Sequence, residues 1–182
     1  MSNIGDNGLF HWPNTPSNIW VCNNELGFNQ DDEEYVAYTD GSCDNLHKER
    51  PGGSAYIIIK GGKIVMSKKK GLLRTTNNRA EMLAIISAVA NTPNGARLDI
   101  YTDSKYSLDI FSGFWHPKKN RDLFDLFRKH AKSLKLIVFH KVAGHTGDKY
   151  NEMADKLAYS AYKEIIKKHN IPEGKYVKGG FK

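Results

Sequence analysis

The feature that most constrains the fold of this chain is the order in which strand-like and helix-like residue patterns follow one another. Strand patterns occupy residues 35–39, 54–60, 63–70, 98–102 and 134–141, and helix patterns occupy residues 79–91, 104–114, 121–133 and about 148–168. Three strands come first, and each later strand is separated from the one before it by helix. Consecutive strands favour an antiparallel meander, whereas strands joined through helices pair in parallel. The order predicts an α/β fold with one mixed sheet covered by helices.

Two local patterns support these elements. In the first helix pattern, apolar residues stand at positions 82, 85, 86 and 89, the spacing of one buried helix face. Gly61-Gly62 separates the second and third strand patterns. A pair of this kind between two strands predicts a hairpin with a two-residue turn.

Charge divides the chain into unequal parts. The sequence carries 27 Lys and Arg against 20 Asp and Glu, a net charge of +7. Residues 1–34 contain six of the acids and no Lys or Arg, so they carry −6 and the remaining residues carry +13. We predict an irregular acidic segment over 1–34, a folded domain over 35–169 and a basic tail over 170–182. A basic domain suits an acidic partner.

Composition excludes several classes of protein. The longest apolar stretches, such as Leu83–Ala90, are far shorter than the ~20 residues that span a bilayer. Residues 1–34 show neither the pattern of a signal peptide nor that of a transit peptide. The two cysteines, Cys22 and Cys43, are too few for a disulfide framework or a zinc site. We therefore expect a cytoplasmic protein with no membrane partner.

Four acids stand near the ends of predicted elements. They are Asp40 at the end of the first strand, Glu81 in the first turn of the first helix, Asp103 at the end of the fourth strand, and Asp155 about two turns into the last helix. The carboxyl ends of parallel strands and the adjacent helix starts form one crevice in an α/β sheet. The four carboxylates can therefore converge there.

The first three of these acids also have purely structural interpretations. Asp40 could be a turn residue, Glu81 part of a capping box and Asp103 the cap of the next helix. Asp155 is different, because its neighbours three and four positions away include no basic residue and Glu152 adds a like charge. An acid at that position is more useful if a cation or a substrate supplies positive charge.

A divalent metal would reconcile four clustered acids. Carboxylates that lie close together repel one another and raise one another's pKa. Mg²⁺ prefers a few carboxylates together with waters and phosphate oxygens. Two such ions about 4 Å apart can hold the attacking and leaving oxygens of a phosphodiester in line. An all-carboxylate set in a basic protein therefore predicts metal-dependent cleavage of nucleic acid.

Four sequence blocks contain these acids and follow one another with fitting separations. They are Tyr38-Thr39-Asp40-Gly41-Ser42, Thr75-Thr76-Asn77-Asn78-Arg79-Ala80-Glu81, Tyr101-Thr102-Asp103-Ser104, and Gly144-His145-Thr146-Gly147 through Asn151-Glu152-Met153-Ala154-Asp155. Together they resemble the type 1 ribonuclease H family, also called ribonuclease HI. The resemblance covers about residues 35–162, most of the chain.

The resemblance implies a ribonuclease H-like fold, with a five-stranded mixed sheet and helices on both faces, and makes residues 35–169 the catalytic domain. It implies hydrolysis of the RNA strand of RNA/DNA hybrids to 5′-phosphate and 3′-hydroxyl ends, with a role in primer or R-loop removal. The family's ligands for two Mg²⁺ ions, which Mn²⁺ can replace, match Asp40, Glu81, Asp103 and Asp155. Asp40 would bridge both ions. His145 matches a mobile histidine that moves protons or helps the product to leave.

The same blocks imply substrate contacts. By position, Arg74, Thr76 and Asn77 match residues that hold a phosphate of the DNA strand, and Asn78 matches a residue that reaches into the minor groove. The chemistry is suitable, because a guanidinium offers a fork of donors to phosphate. Thr76 and Asn77 could equally cap the first helix, and the two roles can coexist.

Two stretches depart from the family pattern. Many members carry a basic helix-loop insertion after the acid of the fourth strand, whereas here only residues 114–120 separate two helix patterns. Lysines at 68–70, 118 and 119, together with the basic tail, could compensate, although lysine clusters are usually solvated surface. The loop over 43–50 lacks the common Gly/Pro-rich form, and Asn45 is our candidate there for a contact with RNA.

Two other functions share parts of the pattern. A non-catalytic hybrid-binding module would keep the fold but would gain nothing from four converging carboxylates. A related polynucleotidyl transferase, such as a resolvase or integrase core, fits the acids but not the Thr-Thr-Asn-Asn-Arg block or the loop of His145. We expect a free-standing, monomeric endonuclease whose partner is an RNA/DNA hybrid.

Overall fold

The computed structural model describes residues 3–4, 10–11, 19–21, 33–113, 117–142 and 148–174. Within these ranges the strands are β1 (Asn3–Ile4), β2 (Phe10–His11), β3 (Ile19–Val21), β4 (Glu34–Cys43), β5 (Gly52–Lys60), β6 (Lys63–Leu72), β7 (Arg97–Thr102) and β8 (Leu136–Lys141). The helices are α1 (Asn77–Ala90), α2 (Lys105–Phe111), α3 (Arg121–Ala131) and α4 (Lys149–Lys168).

These strands form one sheet in the order β1-β2-β3-β8-β7-β4-β5-β6. Strands β4, β5 and β6 make the predicted antiparallel meander. Strands β4, β7 and β8 pair in parallel, as strands joined through helices are expected to do. The five strands from β4 to β8 are therefore the mixed sheet that the sequence predicts.

Short strands extend this sheet from the N-terminal segment, which the sequence predicts to be irregular. Strand β3 pairs antiparallel with β8, with Trp20 opposite Ile137, and β2 and β1 continue outward from it. Strands of two or three residues are too short to show the alternation by which a strand is recognised in a sequence. They lie at the opposite edge of the sheet from β6 and its lysines.

Helices cover both faces of the sheet, as predicted. On one face, the sheet packs against α1, α2 and α3 in a large core that includes Ala37, Ile85 and Phe127. On the other face, it packs against α4 in a smaller core that includes Tyr38 and Ala154. Successive side chains of a strand point to opposite faces, so β4 contributes to both cores.

Two element ends have clear local causes. Gly61 and Gly62 both have positive φ angles, 57° and 77°, as a two-residue turn between β5 and β6 requires. Helix α2 ends at Phe111 rather than at residue 114, and Gly113 follows with a φ of 77°, a conformation that commonly ends a helix.

The chain folds back after α4. The amide of Ile171 donates to the carbonyl of Ile166 at 2.9 Å, and the amide of Gly174 donates to the hydroxyl of Tyr162 at 2.8 Å. The start of the predicted tail is therefore held against α4, and residues 175–182 lie outside the described residues. None of the helices in the described ranges has the length and apolar character that a membrane crossing needs.

Candidate active site

Two copies of the tripeptide Tyr-Thr-Asp bring two of the predicted acids together. Residues 38–40 lie in β4, and residues 101–103 run through the end of β7. The strands pair in parallel with Tyr38 opposite Tyr101. Because neighbouring strands lie about 4.8 Å apart, the acid two residues after each tyrosine comes to the same level of the sheet. The tyrosine rings stack with their centroids 4.8 Å apart, which stabilises this register.

Glu81 joins these acids because β4 and α1 approach one another unusually closely. A Cβ atom on Gly41 would lie 2.3 Å from the carbonyl carbon of Ala80 and 2.4 Å from the amide nitrogen of Glu81. Real Cβ atoms essentially never come within 3.0 Å of such atoms. The missing side chain therefore lets the backbone of α1 lie directly on β4, beside Asp40.

The result is a group of three carboxylates. Ligand oxygens of Asp40, Glu81 and Asp103 all lie within 4.8 Å of one another. Asp40 and Glu81 are only 6% and 2% exposed, while Asp103 is half-buried. The atoms Asp40 Oδ1 and Glu81 Oε2 are fully shielded from solvent. Close, buried carboxylate oxygens are the donor set that Mg²⁺ or Mn²⁺ prefers, so these residues fit a divalent ion.

The capping roles that the sequence left open for two of these acids belong to other residues. Thr76 caps α1, because its hydroxyl accepts from the amide of Arg79 at 3.1 Å. Ser104 caps α2, because its hydroxyl accepts from the amide of Ser107 at 3.1 Å. Glu81 and Asp103 are therefore not explained as helix caps.

Asp155 lies in the second turn of α4, and Asp148 caps that helix through the amides of Tyr150 and Asn151. Asp155 is half-buried and does not belong to the group within 4.8 Å. Its helix is nevertheless fixed against the sheet, because a Cβ on Gly53 would lie 1.9 Å from the carbonyl oxygen of Ala158. The role of Asp155 as a metal ligand stays a prediction.

A model of the RNase H family matches residues 32–163, which contain the three clustered acids and Asp155. The chain belongs to the RNase H family. A ribonuclease HI from Synechocystis sp. is 33% identical over 143 residues, covering 69% of this chain and 85% of that protein. A ribonuclease HI from Brucella melitensis is 36% identical over 135 residues, covering 67% and 85%.

A solved structure supports the fold of this RNase H family member. The N-terminal RNase H domain of a Mycobacterium tuberculosis protein, solved as a fusion with maltose-binding protein, superposes with a TM-score of 0.67 at 22% identity. The match covers 76% of this chain and 99% of that one. This likeness confirms the ribonuclease H-like fold, and the family match with its relatives confirms the ribonuclease H enzyme class.

In this RNase H chain the predicted phosphate-binding residues lie between β6 and the first turn of α1. Arg74 has a side chain that is 79% exposed, with its Nε 3.5 Å from Glu49 Oε2. Thr76 is the helix cap, so its structural interpretation is correct. Asn77 begins α1, and its buried Oδ1 has no hydrogen-bond partner among the described residues. Asn78 is exposed on the first turn.

The remaining two predicted residues occupy loops. Asn45 is exposed just after β4, beside the turn in which Asp44 Oδ1 accepts from the amide of Leu46. His145 falls within residues 143–147, which lie outside the described residues. The structure therefore leaves both assignments as predictions.

Two residues that the sequence reasoning did not single out hold the parts of the site in place. Cys43 Sγ lies 3.5 Å from the carbonyl oxygen of Thr75 and so ties the end of β4 to the loop before α1. Burial raises the pKa of its thiol to about 11, which keeps it neutral. The spacing of Cys43 and Thr75 along the chain gives no hint of this contact.

The second such residue is Arg79. Its guanidinium donates to both carboxylate oxygens of Asp122 at 2.9 and 2.8 Å, and to Asn120 Oδ1 at 3.2 Å. These bonds raise the pKa of Arg79 and lower that of Asp122. They connect α1, which carries Glu81, to the start of α3. The two residues are 43 positions apart in the sequence, so no local sequence pattern predicts this contact.

Proposed function

We propose that this RNase H family member cleaves the RNA strand of RNA/DNA hybrids and leaves 5′-phosphate and 3′-hydroxyl ends. The observation that carries the proposal is the group formed by Asp40, Glu81 and Asp103 within 4.8 Å. Three acids that meet at the carboxyl ends of parallel strands have no function in a protein that only binds phosphate, because they would repel it. They favour an enzyme that works with cations.

We propose that this donor set binds two Mg²⁺ ions, with Mn²⁺ as a substitute. Asp40, Glu81 and Asp103 would hold the ions together with Asp155. When bound, the ions supply an activated water and charge stabilisation for the leaving 3′-oxygen.

The protein's own part is to hold this arrangement rigid. Asp40 is fixed by the pairing of β4 with β5 and by the stacked ring of Tyr38, two residues before it, and Glu81 is fixed by the contact of α1 with Gly41. Acids held in place before the substrate arrives need no rearrangement during the reaction, which lowers the barrier. We further propose that His145 moves protons or assists release of the product.

In this proposal the loop between β6 and α1 binds the substrate. Arg74, Thr76 and Asn77 bind a phosphate of the DNA strand, and Asn78 reaches into the minor groove. The exposed guanidinium of Arg74 supports the assignment, since it is accessible to phosphate. Asn45, just after β4, is proposed to contact RNA, where a 2′-hydroxyl distinguishes the two strands. We propose a cytoplasmic monomer that removes primers or R-loops.

The test is a cleavage assay with end-labelled RNA/DNA hybrid, duplex RNA, duplex DNA and branched DNA, each with Mg²⁺ and with EDTA. We expect cuts in the RNA of the hybrid alone, with 5′-phosphate ends, and none in EDTA. Binding of the hybrid without cleavage would instead show a non-catalytic module. Cleavage of branched or duplex DNA would show a polynucleotidyl transferase.

A further inference from the structure

A groove of about 230 Å³ lies between the edge strand β6 and helix α1. Its walls carry lysines on one side and polar side chains of α1 on the other. The lining includes Ser54, Lys68, Lys70, Ser87 and Asn91. The groove thus combines positive charge with hydrogen-bonding groups, and none of these residues belongs to the carboxylate group.

Strand alternation separates the three consecutive lysines of β6. Lys68 and Lys70 stand opposite Tyr56 and Ser54, on the face that α1 covers. Lys69 points to the other face, where its Nζ lies 2.6 Å from Glu164 Oε1 and 2.7 Å from Ser160 Oγ of α4. Lys69 is therefore neutralised by α4. Lys68 and Lys70 are exposed and have no ion pair with any residue that the structure describes.

The groove lies on the sheet face that α1 covers, close to Gly41, the residue after Asp40. Lys70 is level with Ser54, and Ser54 is level with Gly41, the residue after Asp40. Two strand spacings separate Lys70 from Gly41, about 10 Å. The hydroxyl of Ser54 donates to the carbonyl of Ala80 at 2.9 Å, next to Glu81. A duplex that lies on the carboxylates can therefore reach the lysines within one helical turn.

We propose that this groove binds the sugar-phosphate backbone of the hybrid beside the cleavage site, an inference that rests on the proposed function. Lys68 and Lys70 are two residues apart on one strand, about 7 Å, so each ammonium meets a different phosphate. The hydroxyl of Ser87 on the opposite wall is a further donor. The groove extends along α1 from Leu83 to Asn91, about 12 Å, which matches three or four base pairs at ~3.4 Å each.

The experiment measures binding of a fluorescent RNA/DNA hybrid by anisotropy in EDTA, at monovalent salt concentrations from 50 to 400 mM. The test variant is Lys68→Gln/Lys70→Gln. The first control is Lys69→Gln, one residue away on the other face. The second is Lys163→Gln/Lys167→Gln, which removes the same charge from the exposed side of α4.

Two lost phosphate contacts reduce the salt slope, d log K/d log[salt], by about 1.8. At 0.1 M salt the same loss weakens binding by roughly 10- to 60-fold. We expect these changes in Lys68→Gln/Lys70→Gln, and less than a threefold change in either control. We also expect the difference from wild type to vanish when the hybrid is shortened from the end that lies in the groove.

The proposal is overturned if the test variant keeps the wild-type slope, or if Lys163→Gln/Lys167→Gln changes binding as much, since only net charge would then matter. Cleavage by the wild-type protein is measured separately. If the test variant binds the hybrid like wild type while the wild-type protein cleaves normally, only the groove proposal is rejected. If the wild-type protein does not cleave, the proposed function is rejected and the binding comparison remains valid.

Discussion

Replacing Gly41 with alanine is the substitution that tests most directly how the fold assembles the acids. The new Cβ would lie 2.3 Å from the backbone of Ala80, whereas ordinary contacts begin at 3.4 Å. Strand β4 and helix α1 must therefore separate by about 1.1 Å, because neither contacting atom belongs to a side chain that can rotate away. The movement would carry Glu81 away from Asp40.

Two effects follow, and they differ in size. Overpacking at a backbone contact costs about 1–3 kcal/mol of stability. A misplacement of about 1 Å in a catalytic arrangement can cost on the order of 100-fold in rate. We therefore expect Gly41→Ala to remain folded at 25 °C but to lose about 100-fold in kcat for hybrid cleavage in Mg²⁺.

The control is Gly95→Ala. Gly95 lies in the turn between α1 and β7 with a φ of 79° and open space around its Cβ position. Alanine there is strained by about 1–2 kcal/mol without a clash, so stability falls while the acids stay in place. Urea unfolding gives the stability of both variants, and kcat is compared at equal folded fractions. If Gly41→Ala then cleaves as fast as Gly95→Ala, the close contact does not set the geometry of the acids.

Three further predictions concern the parts around the site. Replacing Cys22 with serine leaves Cys43 as the only cysteine. Because burial raises the pKa of Cys43 to about 11, this variant should resist iodoacetamide at pH 8 when folded and react when unfolded in urea; rapid labelling of the folded protein would contradict this. The bond to Arg79 lowers the pKa of Asp122, so its stabilisation is fully present above the ordinary carboxyl pKa and is lost as pH falls through the lowered value. Measured by urea unfolding, Asp122→Asn should thus lose less than about 1 kcal/mol at pH 7 and a smaller amount near pH 2; an equal loss at both pH values would refute the ion pair. Deleting residues 1–32 should lower the melting temperature and promote self-association, because the edge of β8 becomes exposed. If the melting temperature is unchanged and light scattering gives the mass of a monomer, β3 does not protect the edge of β8.

The repeated Tyr-Thr-Asp explains why much of the site could be predicted. Each copy ends a strand pattern, and parallel pairing alone brings Asp40 and Asp103 to the same level. Local patterns also gave the meander, the hairpin turn and helices close to those observed. These are features in which neighbours along the chain determine the structure.

Other features depend on contacts between distant residues, and no sequence pattern reveals them. The bond from Arg79 to Asp122 spans 43 residues, and the contact of Cys43 with Thr75 spans 32 residues. The strands β1 to β3 form because β8 offers an unpaired edge, not because their own residues alternate. The three consecutive lysines of β6, residues 68–70, form one group in the sequence, but in the sheet Lys69 points to the face opposite from Lys68 and Lys70.

The measurement that tests the central claim most directly is hybrid cleavage by Asp103→Asn in Mg²⁺, with hybrid binding measured in parallel. The substitution keeps the shape of the side chain but removes one charge from the carboxylate group. We expect cleavage to be abolished while the affinity for the hybrid stays largely intact. Turnover at the wild-type rate would contradict the claim that these acids hold the metal ions that cleave RNA.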